Sequence, residues 1–255
     1  MESKLQFAQA LVRQAGSYIR QHMSDDLAIE TKSRYDDLVT NLDKDTQNFV
    51  VEAIQTAYPD DFLMGEENNL RHPIKDGNVW VIDPIDGTVN FIVQKEDFAI
   101  MLAYFEDGVG QFGLIYDVMQ DKLYSGGPDL PLMMNDQTLE AFDNRPLTRS
   151  LIGSNGSMYA HNVSGISNLI NQTLGVRVYG GAGISMAHVL SGRLLAYFSH
   201  LYPWDYAAAQ IIGSQLGYEL LTLDGEQVDY QSRQMVMFIP SAYKQTIQDY
   251  MERGK

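Results

Sequence analysis

Two aspartates lie three residues apart in Asp83-Pro84-Ile85-Asp86-Gly87-Thr88, directly after the apolar run Val79-Trp80-Val81-Ile82. Carboxylates carried at a strand end suit a hard cation such as Mg2+, which takes oxygen ligands and needs them aimed from a rigid element. Pro84 fixes its own φ and drives Asp83 towards an extended conformation, while Gly87 admits a backbone that other residues resist. The amides of Gly87 and Thr88 would be free to hold an anion where a helix or nest begins. This pattern predicts metal on one side of the turn and phosphate on the other. The competing reading is a plain loop, because Asp, Pro and Gly are common turn formers.

Three further stretches supply acidic groups. Gly65-Glu66-Glu67 lies upstream and, taken alone, reads as solvated surface. Trp204-Asp205, followed by Ala207-Ala208-Ala209, puts a carboxylate at the mouth of a helix, where an N-capping aspartate is also at home. The segment from Lys32 to Asp43 contains Asp37-Leu38-Val39-Thr40. With the tract Trp80–Phe91, these elements follow in an order and spacing that resemble the signatures of the inositol monophosphatase-like family of Mg-dependent, lithium-sensitive phosphatases. Val89 stands where that family usually has a second Thr.

The resemblance implies hydrolysis of a small phosphate monoester by metal-activated water, with two or three Mg2+ per site. It implies Glu66, Asp83 and the Ile85 carbonyl at one ion, and Asp83, Asp86 and Asp205 at another. Glu66 would also help a weaker third ion through water. Thr88, Asp43 and Glu66 form the implied catalytic set, with Thr88 hydrogen-bonded to Asp43. The Gly87 and Thr88 amides would hold phosphate oxygens, and further substrate contacts fall on Asp86, Gly181, Ala182, Lys32, Ser199 and Asp205. One departure bears on the substrate. The segment Tyr197–Pro203 is one residue shorter than in inositol-specific members and places Ser199 near their acidic ring contact. A broad phosphomonoesterase is therefore expected, with NADP(H), nucleotides or sugar bisphosphates as alternatives to inositol monophosphate. A rival from another class is a non-catalytic RNA- or protein-binding regulator, which the full set of carboxylates opposes.

Charge composition agrees with the enzyme reading. With 33 acidic against 18 basic residues the net charge is −15, a field that repels nucleic acid and anionic membranes alike. A small phosphate ester meets the same repulsion unless bound cations reverse the sign locally. Glu66, Asp83, Asp86 and Asp205 would be balanced by two Mg2+, and a third would leave positive charge for a phosphate dianion. The absence of Cys excludes disulfides, thiolate metal sites and a Cys nucleophile. Residues 1–22 lack the uninterrupted apolar core of a signal peptide, and the apolar stretch Phe98–Phe105 is too short to span a bilayer. A soluble, cytoplasmic protein is expected, and the resemblance adds a homodimer.

Periodicity sets the scaffold. Leu5, Ala8, Leu11, Val12, Ala15 and Ile19 predict an amphipathic first helix, and Phe49, Val50, Ala53, Ile54 and Ala57 a second over 46–57. Strands are expected at 79–83, 98–105, 109–117 and 121–124, with Glu106-Asp107-Gly108 as a hairpin turn. Beyond residue 147 strands and helices alternate: strands at 150–153, 176–179, 194–198, 218–223 and 235–239, helices at 163–173, 182–190, 205–216 and 241–252. These patterns predict an α+β half over 1–147, with a mainly antiparallel sheet, and an α/β half over 148–255, joined near Pro128–Pro146. The resemblance implies one layered α-β-α-β-α sandwich, the sugar phosphatase fold, with the site between the halves.

Other motifs carry less. Gly108–Gly113 satisfies G-x-G-x-x-G, yet a strand rather than a helix follows it. Gly180-Gly181-Ala182-Gly183 joins a strand to a helix and could bring amides near a ligand or simply supply small residues for packing. The five histidines show no paired ligand spacing.

Overall fold

The computed structural model describes residues 1–25, 27–32, 35 and 38–252. Helix α1 (Glu2–His22) buries Leu5, Ala8, Leu11, Val12, Ala15 and Ile19 along one stripe, as its periodicity requires. Strands β1 (Ile29–Thr31) and β2 (Leu38–Thr40) form a small antiparallel ribbon. Helix α2 (Asn41–Ala57) starts earlier than its apolar repeat predicts, because Thr40 and Asp43 close a capping box ahead of it. A cap is a polar device and leaves no trace in hydrophobic periodicity.

A seven-stranded sheet follows: β3 (Phe62–Gly65), β4 (Asn78–Asp86), β5 (Ala99–Glu106), β6 (Val109–Asp117), β7 (Lys122–Gly127), β8 (Leu130–Met134) and β9 (Gln137–Thr138), in sequential order. Helix α3 (Thr88–Val93) interrupts between β4 and β5. Only the β3–β4 pair is parallel. The β5–β6 hairpin turns on Asp107 and Gly108, at φ of 48° and 83°, the two positive-φ residues of a tight right-twisting turn. The stretch Pro128–Pro146 leads from this sheet towards the next. It holds β8 and β9, short strands at the outer side of the sheet that offer little alternation to read.

A second sheet takes the order β11-β10-β12-β14-β13. It comprises β10 (Ile152–Ser154), β11 (Val176–Arg177), β12 (Ala196–Leu201), β13 (Tyr218–Thr222) and β14 (Gln234–Pro240). The first three are parallel and the β14 pairings antiparallel. Helices α4 (Gly156–Ala160), α5 (Ile166–Ile170), α6 (Ala182–Leu190), α7 (Pro203–Gln215) and α8 (Lys244–Glu252) accompany it. The helix expected over 163–173 is broken: Ser164 sits at φ 50° in a short 3-10 turn, and only Ile166–Ile170 is α-helical.

Three cores define the layers. Along β4, Trp80 and Ile82 face α1 and α2, whereas Val79 and Val81 face α6 and α7, the alternation that a pleated strand imposes. The opposite side of α6 and α7 packs on Tyr197, Leu220, Val236 and Phe238 of the second sheet. Its outer face, with Ile152, Phe198 and Met237, is covered by α5 and α8. The result is an α-β-α-β-α sandwich. The G-x-G-x-x-G match lies in the β5–β6 hairpin, and Gly113 has a packing reason: a Cβ there would lie 2.3 Å from the Ala208 carbonyl oxygen of α7.

Candidate active site

Residues three apart on a regular strand point to opposite faces. In β4 the register against β5 shifts between Asp83 and Asp86, and that irregularity re-aims the strand end so that both carboxylates join one cluster. The Ile85 amide donates to Asp83 Oδ1 at 3.1 Å. Gly87 then takes φ +89° and starts α3 at Thr88, a left-handed conformation that glycine adopts without strain.

The other elements converge on this turn. Asp86 caps α6, with Oδ1 accepting from the Ala182 amide at 3.0 Å and Oδ2 from Gly183 at 2.7 Å. A Cβ on Gly181 would stand 2.9 Å from Asp86 Oδ2, so the wall beside Asp86 must be built of small residues. Asn90 fastens it by donating to the Tyr179 carbonyl at 2.6 Å and the Asp97 carbonyl at 3.0 Å. Asp205 lies in the first turn of α7, and its Oδ2 accepts from the Tyr202 amide at 2.8 Å. The capping reading and the cluster reading of Asp205 are thus both true of the geometry.

Glu66 follows β3. Gln47 of α2 grips Glu67 by both backbone groups, donating to its carbonyl at 2.6 Å and accepting from its amide at 2.9 Å. Arg71 donates to the Gly65 carbonyl and lies over the Trp204 ring at 4.6 Å. Lys32 reaches in to Glu66 Oε1 at 2.7 Å and also donates to Glu67. Ser33, Arg34, Asp36 and Asp37 of the expected N-terminal stretch lie outside the described residues. Thr88 Oγ1 stands 3.1 Å from both Asp43 Oδ1 and the Ile85 carbonyl oxygen.

Burial and mutual charge raise every acid of the cluster above the ordinary carboxylate range. Asp83 is pushed up strongly by burial, then by the charges of Glu66, Asp86 and Asp205. Asp205 rises through burial and through Asp86 and Glu66. Glu66 rises through burial, opposed by Lys32. Asp86 is pushed up by burial to about 6, with the Gly183 and Ala182 amides holding it down. Asp43 likewise reaches about 6 through burial, against hydrogen bonds from Thr40. Burial alone would lower Lys32, but the charges and hydrogen bonds of Glu66 and Glu67 outweigh it, and its pKa is raised.

Beside the cluster is a cavity of about 190 Å³, lined by Asp86, Asn155, Gly181, Ser199, Asp205 and Arg233 among others. A larger cavity of about 390 Å³ lies elsewhere, against Phe142, Arg145 and Tyr218, and none of the four carboxylates borders it. Ser199 is buried in β12, which runs to Leu201 in register with β14.

A hard divalent cation fits this donor set: carboxylates and a backbone carbonyl, with no imidazole or thiolate. The Lys32 ammonium on Glu66 and Glu67 already stands where positive charge is needed. Among the described residues no group of three or more acidic, His or Cys side chains is arranged to hold an ion. Protein donors meet three of these acids: Lys32 engages Glu66, helix amides engage Asp86, and the Tyr202 amide engages Asp205. Sequence reading missed Gln47, Arg71, Asn90 and Arg233. Asn90 lies inside the tract Trp80–Phe91 but was given no role, whereas Gln47, Arg71 and Arg233 belong to no motif and are marked only by their tertiary contacts.

This fold and acidic cleft define a class: the chain belongs to the inositol monophosphatase family, whose model matches residues 1–253, and it is a phosphoric monoester hydrolase by that membership. It is 36% identical to the inositol-1-monophosphatase of Bacillus subtilis (strain 168), over 98% of this chain and 97% of that one. Among solved structures it resembles SaIMPase-II bound to 2′AMP, at 32% identity and TM-score 0.88, over 98% of this chain and 95% of that one. An IMPase/NADP phosphatase complexed with NADP and Ca2+ matches at 27% identity and TM-score 0.90, over 98% and 95% of the two chains. No helix among the described residues is long and apolar enough to cross a membrane.

Proposed function

We propose that the chain is a Mg2+-dependent phosphomonoesterase of broad range, with inositol monophosphate as one substrate among several. The observation that carries this reading is Asp83, 1% exposed and surrounded by the charges of Glu66, Asp86 and Asp205. So many buried acids in one place demand cations. Glu66, Asp83, the Ile85 carbonyl, Asp86 and Asp205 would hold two Mg2+, with a weaker third beside Glu66. Bound there, the ions supply charge neutralisation and a lowered pKa for water.

The chain's own groups do the rest. Thr88 has one hydroxyl proton and two acceptors within reach. Donating that proton to Asp43 Oδ1 leaves the Thr88 oxygen free to accept from the attacking water. Asp43, pushed up to about 6, is matched to taking a proton near neutral pH. The Gly87 and Thr88 amides hold phosphate oxygens, while Gly181 and Ala182 form the wall against which the ester lies. Lys32, drawn to Glu66, would leave it when a cation or phosphate arrives and then contact the substrate.

Ser199 supports the broad range. It stands near the ring-contact position of inositol-specific members, is buried in β12, and offers a hydroxyl in place of a carboxylate. The ligands of the two structural relatives, 2′AMP and NADP, agree with a site that tolerates nucleotides. A homodimer remains part of the reading and is checked by light scattering. The test of function is phosphate release with Mg2+ from inositol 1-phosphate, a sugar bisphosphate, 2′AMP and NADP. Turnover of two or more is expected; release from none would overturn the reading.

A further inference from the structure

Arg233 lines the 190 Å³ cavity together with Asp86 and Asp205. Among the described lining residues it is the one Lys or Arg. Its neighbour His200 is held below the ordinary histidine range by burial and then by Arg233 itself, so the guanidinium is the standing positive charge there. Its place is fixed twice. Nε donates to the His200 carbonyl at 3.2 Å, and the guanidinium carbon lies 5.3 Å from the centroid of the Tyr202 ring.

That ring is part of a ladder. Tyr202 stacks on Trp204 at 4.8 Å and 13°, and Trp204 takes Arg71 on its ring at 4.6 Å. Two arginines thus flank an aromatic pair at the start of α7, and they are used differently. Arg71 is spent on the Gly65 and Leu70 carbonyls. Arg233 makes no ion pair among the described residues, and its only hydrogen bond there uses Nε, so its two terminal nitrogens have no acceptor among them. Arg233 shares the cavity lining with Asp205 and opposes the rise that burial and Asp86 impose on it.

An arginine held by Nε and a ring, with its fork open, is suited to bidentate capture of a phosphate or carboxylate. The reacting phosphate belongs by Gly87 and Thr88, neither of which lines this cavity. The cavity is also small against the several hundred Å³ of a typical small-molecule site, so a ligand of nucleotide size must extend past it. From these observations we infer that Arg233 is a specificity-determining residue that binds a second anionic group of the substrate, and that phosphomonoesters carrying such a group are the favoured class. This rests on the hydrolytic reading of the site given above.

A matched pair of esters tests it: 2′AMP and adenosine 2′,5′-bisphosphate, which share the reacting phosphate and differ by one remote phosphate. With saturating Mg2+, the unaltered protein should favour the bisphosphate in kcat/KM. Arg233→Met should cut kcat/KM for the bisphosphate by about tenfold or more, mainly through KM, a loss of about 1.4 kcal/mol. The same change should leave 2′AMP within about twofold, and Arg233→Lys should recover part of the preference. Equal losses on both esters would show a merely structural role, and no loss on either would show no role; each overturns the inference. Equal turnover of the two by the unaltered protein overturns it while leaving hydrolysis intact. Failure to hydrolyse either ester would instead sink the hydrolytic reading, and this inference with it.

Discussion

Thr88 and Asp43 come from different elements, the first turn of α3 and the first turn of α2, and meet with Oγ1 and Oδ1 3.1 Å apart. The other oxygen of Asp43 accepts from the Thr40 amide at 2.9 Å. One carboxylate thus caps a helix and orients the hydroxyl beside the acidic cluster. Asp43→Asn keeps the shape but replaces one acceptor by a donor, which turns the Thr88 proton back to the Ile85 carbonyl. We expect kcat to fall by about a hundredfold or more with little change in KM, within the usual range for loss of a proton-transfer partner. Steady-state kinetics with Mg2+ decide it, and kcat within threefold of normal would remove Asp43 from the mechanism.

The same residue sets a pH dependence. Burial lifts folded Asp43 to about 6, whereas an unfolded aspartate titrates near 4. Between those values the folded chain holds a proton that the unfolded chain has released. Stability from this group is therefore full below about pH 4 and is lost as pH rises through about 6, on the order of 3 kcal/mol. Glu66, Asp83, Asp86 and Asp205 shift in the same direction. Urea midpoints measured in chelator should fall from pH 4 to pH 7, and the fall should be shallower in Asp43→Asn. A midpoint that rises with pH across this window would contradict the assigned burial.

Asp83→Asn and Asp205→Asn should each abolish phosphate release while the fold persists. Without divalent ions, Asp83→Asn should be as stable as the unaltered chain or slightly more so, because one buried like charge is gone. Activity assays paired with thermal unfolding in chelator separate the two effects. Near-normal turnover at high Mg2+ in either variant would show that its carboxylate is not a metal ligand.

Ion competition provides an independent check on the metal reading. Millimolar Li+ should inhibit without competing with substrate, and excess Ca2+ should inhibit through its larger and looser coordination. Initial rates against both ions at fixed Mg2+ are sufficient. Indifference to both would argue against a Mg2+ site of this kind.

Substrate range follows from Ser199. A site lacking a carboxylate for a polyol ring discriminates weakly, since strong discrimination comes from polar groups left unpaired by the wrong ligand. The expected ratio of kcat/KM for inositol 1-phosphate over NADP is below about a hundredfold, equivalent to about 2.7 kcal/mol. A larger ratio would mean that another group reads the ring.

Much of this protein is written locally. The turn at Asp83–Thr88 was legible because Pro84 and Gly87 constrain the backbone whatever surrounds them, and the structure gives Gly87 the positive φ it permits. Helix α1 and strands β4, β5 and β6 were legible because each buries a regular face and leaves the period of that burial in the chain. Tertiary structure alone decided the rest. Thr40 and Asp43 extended α2 through a polar cap, and β8 and β9 formed where alternation was weak. The choice of partners was also non-local: Lys32 on Glu66, the Ala182 and Gly183 amides on Asp86, Gln47 on Glu67, and an open guanidinium at Arg233. Residue types fix what each side chain can do. Which charge each one meets depends on sheet order and helix docking, and so do its burial and its pKa, because electrostatic energy in a folded chain follows distance in space and access to water.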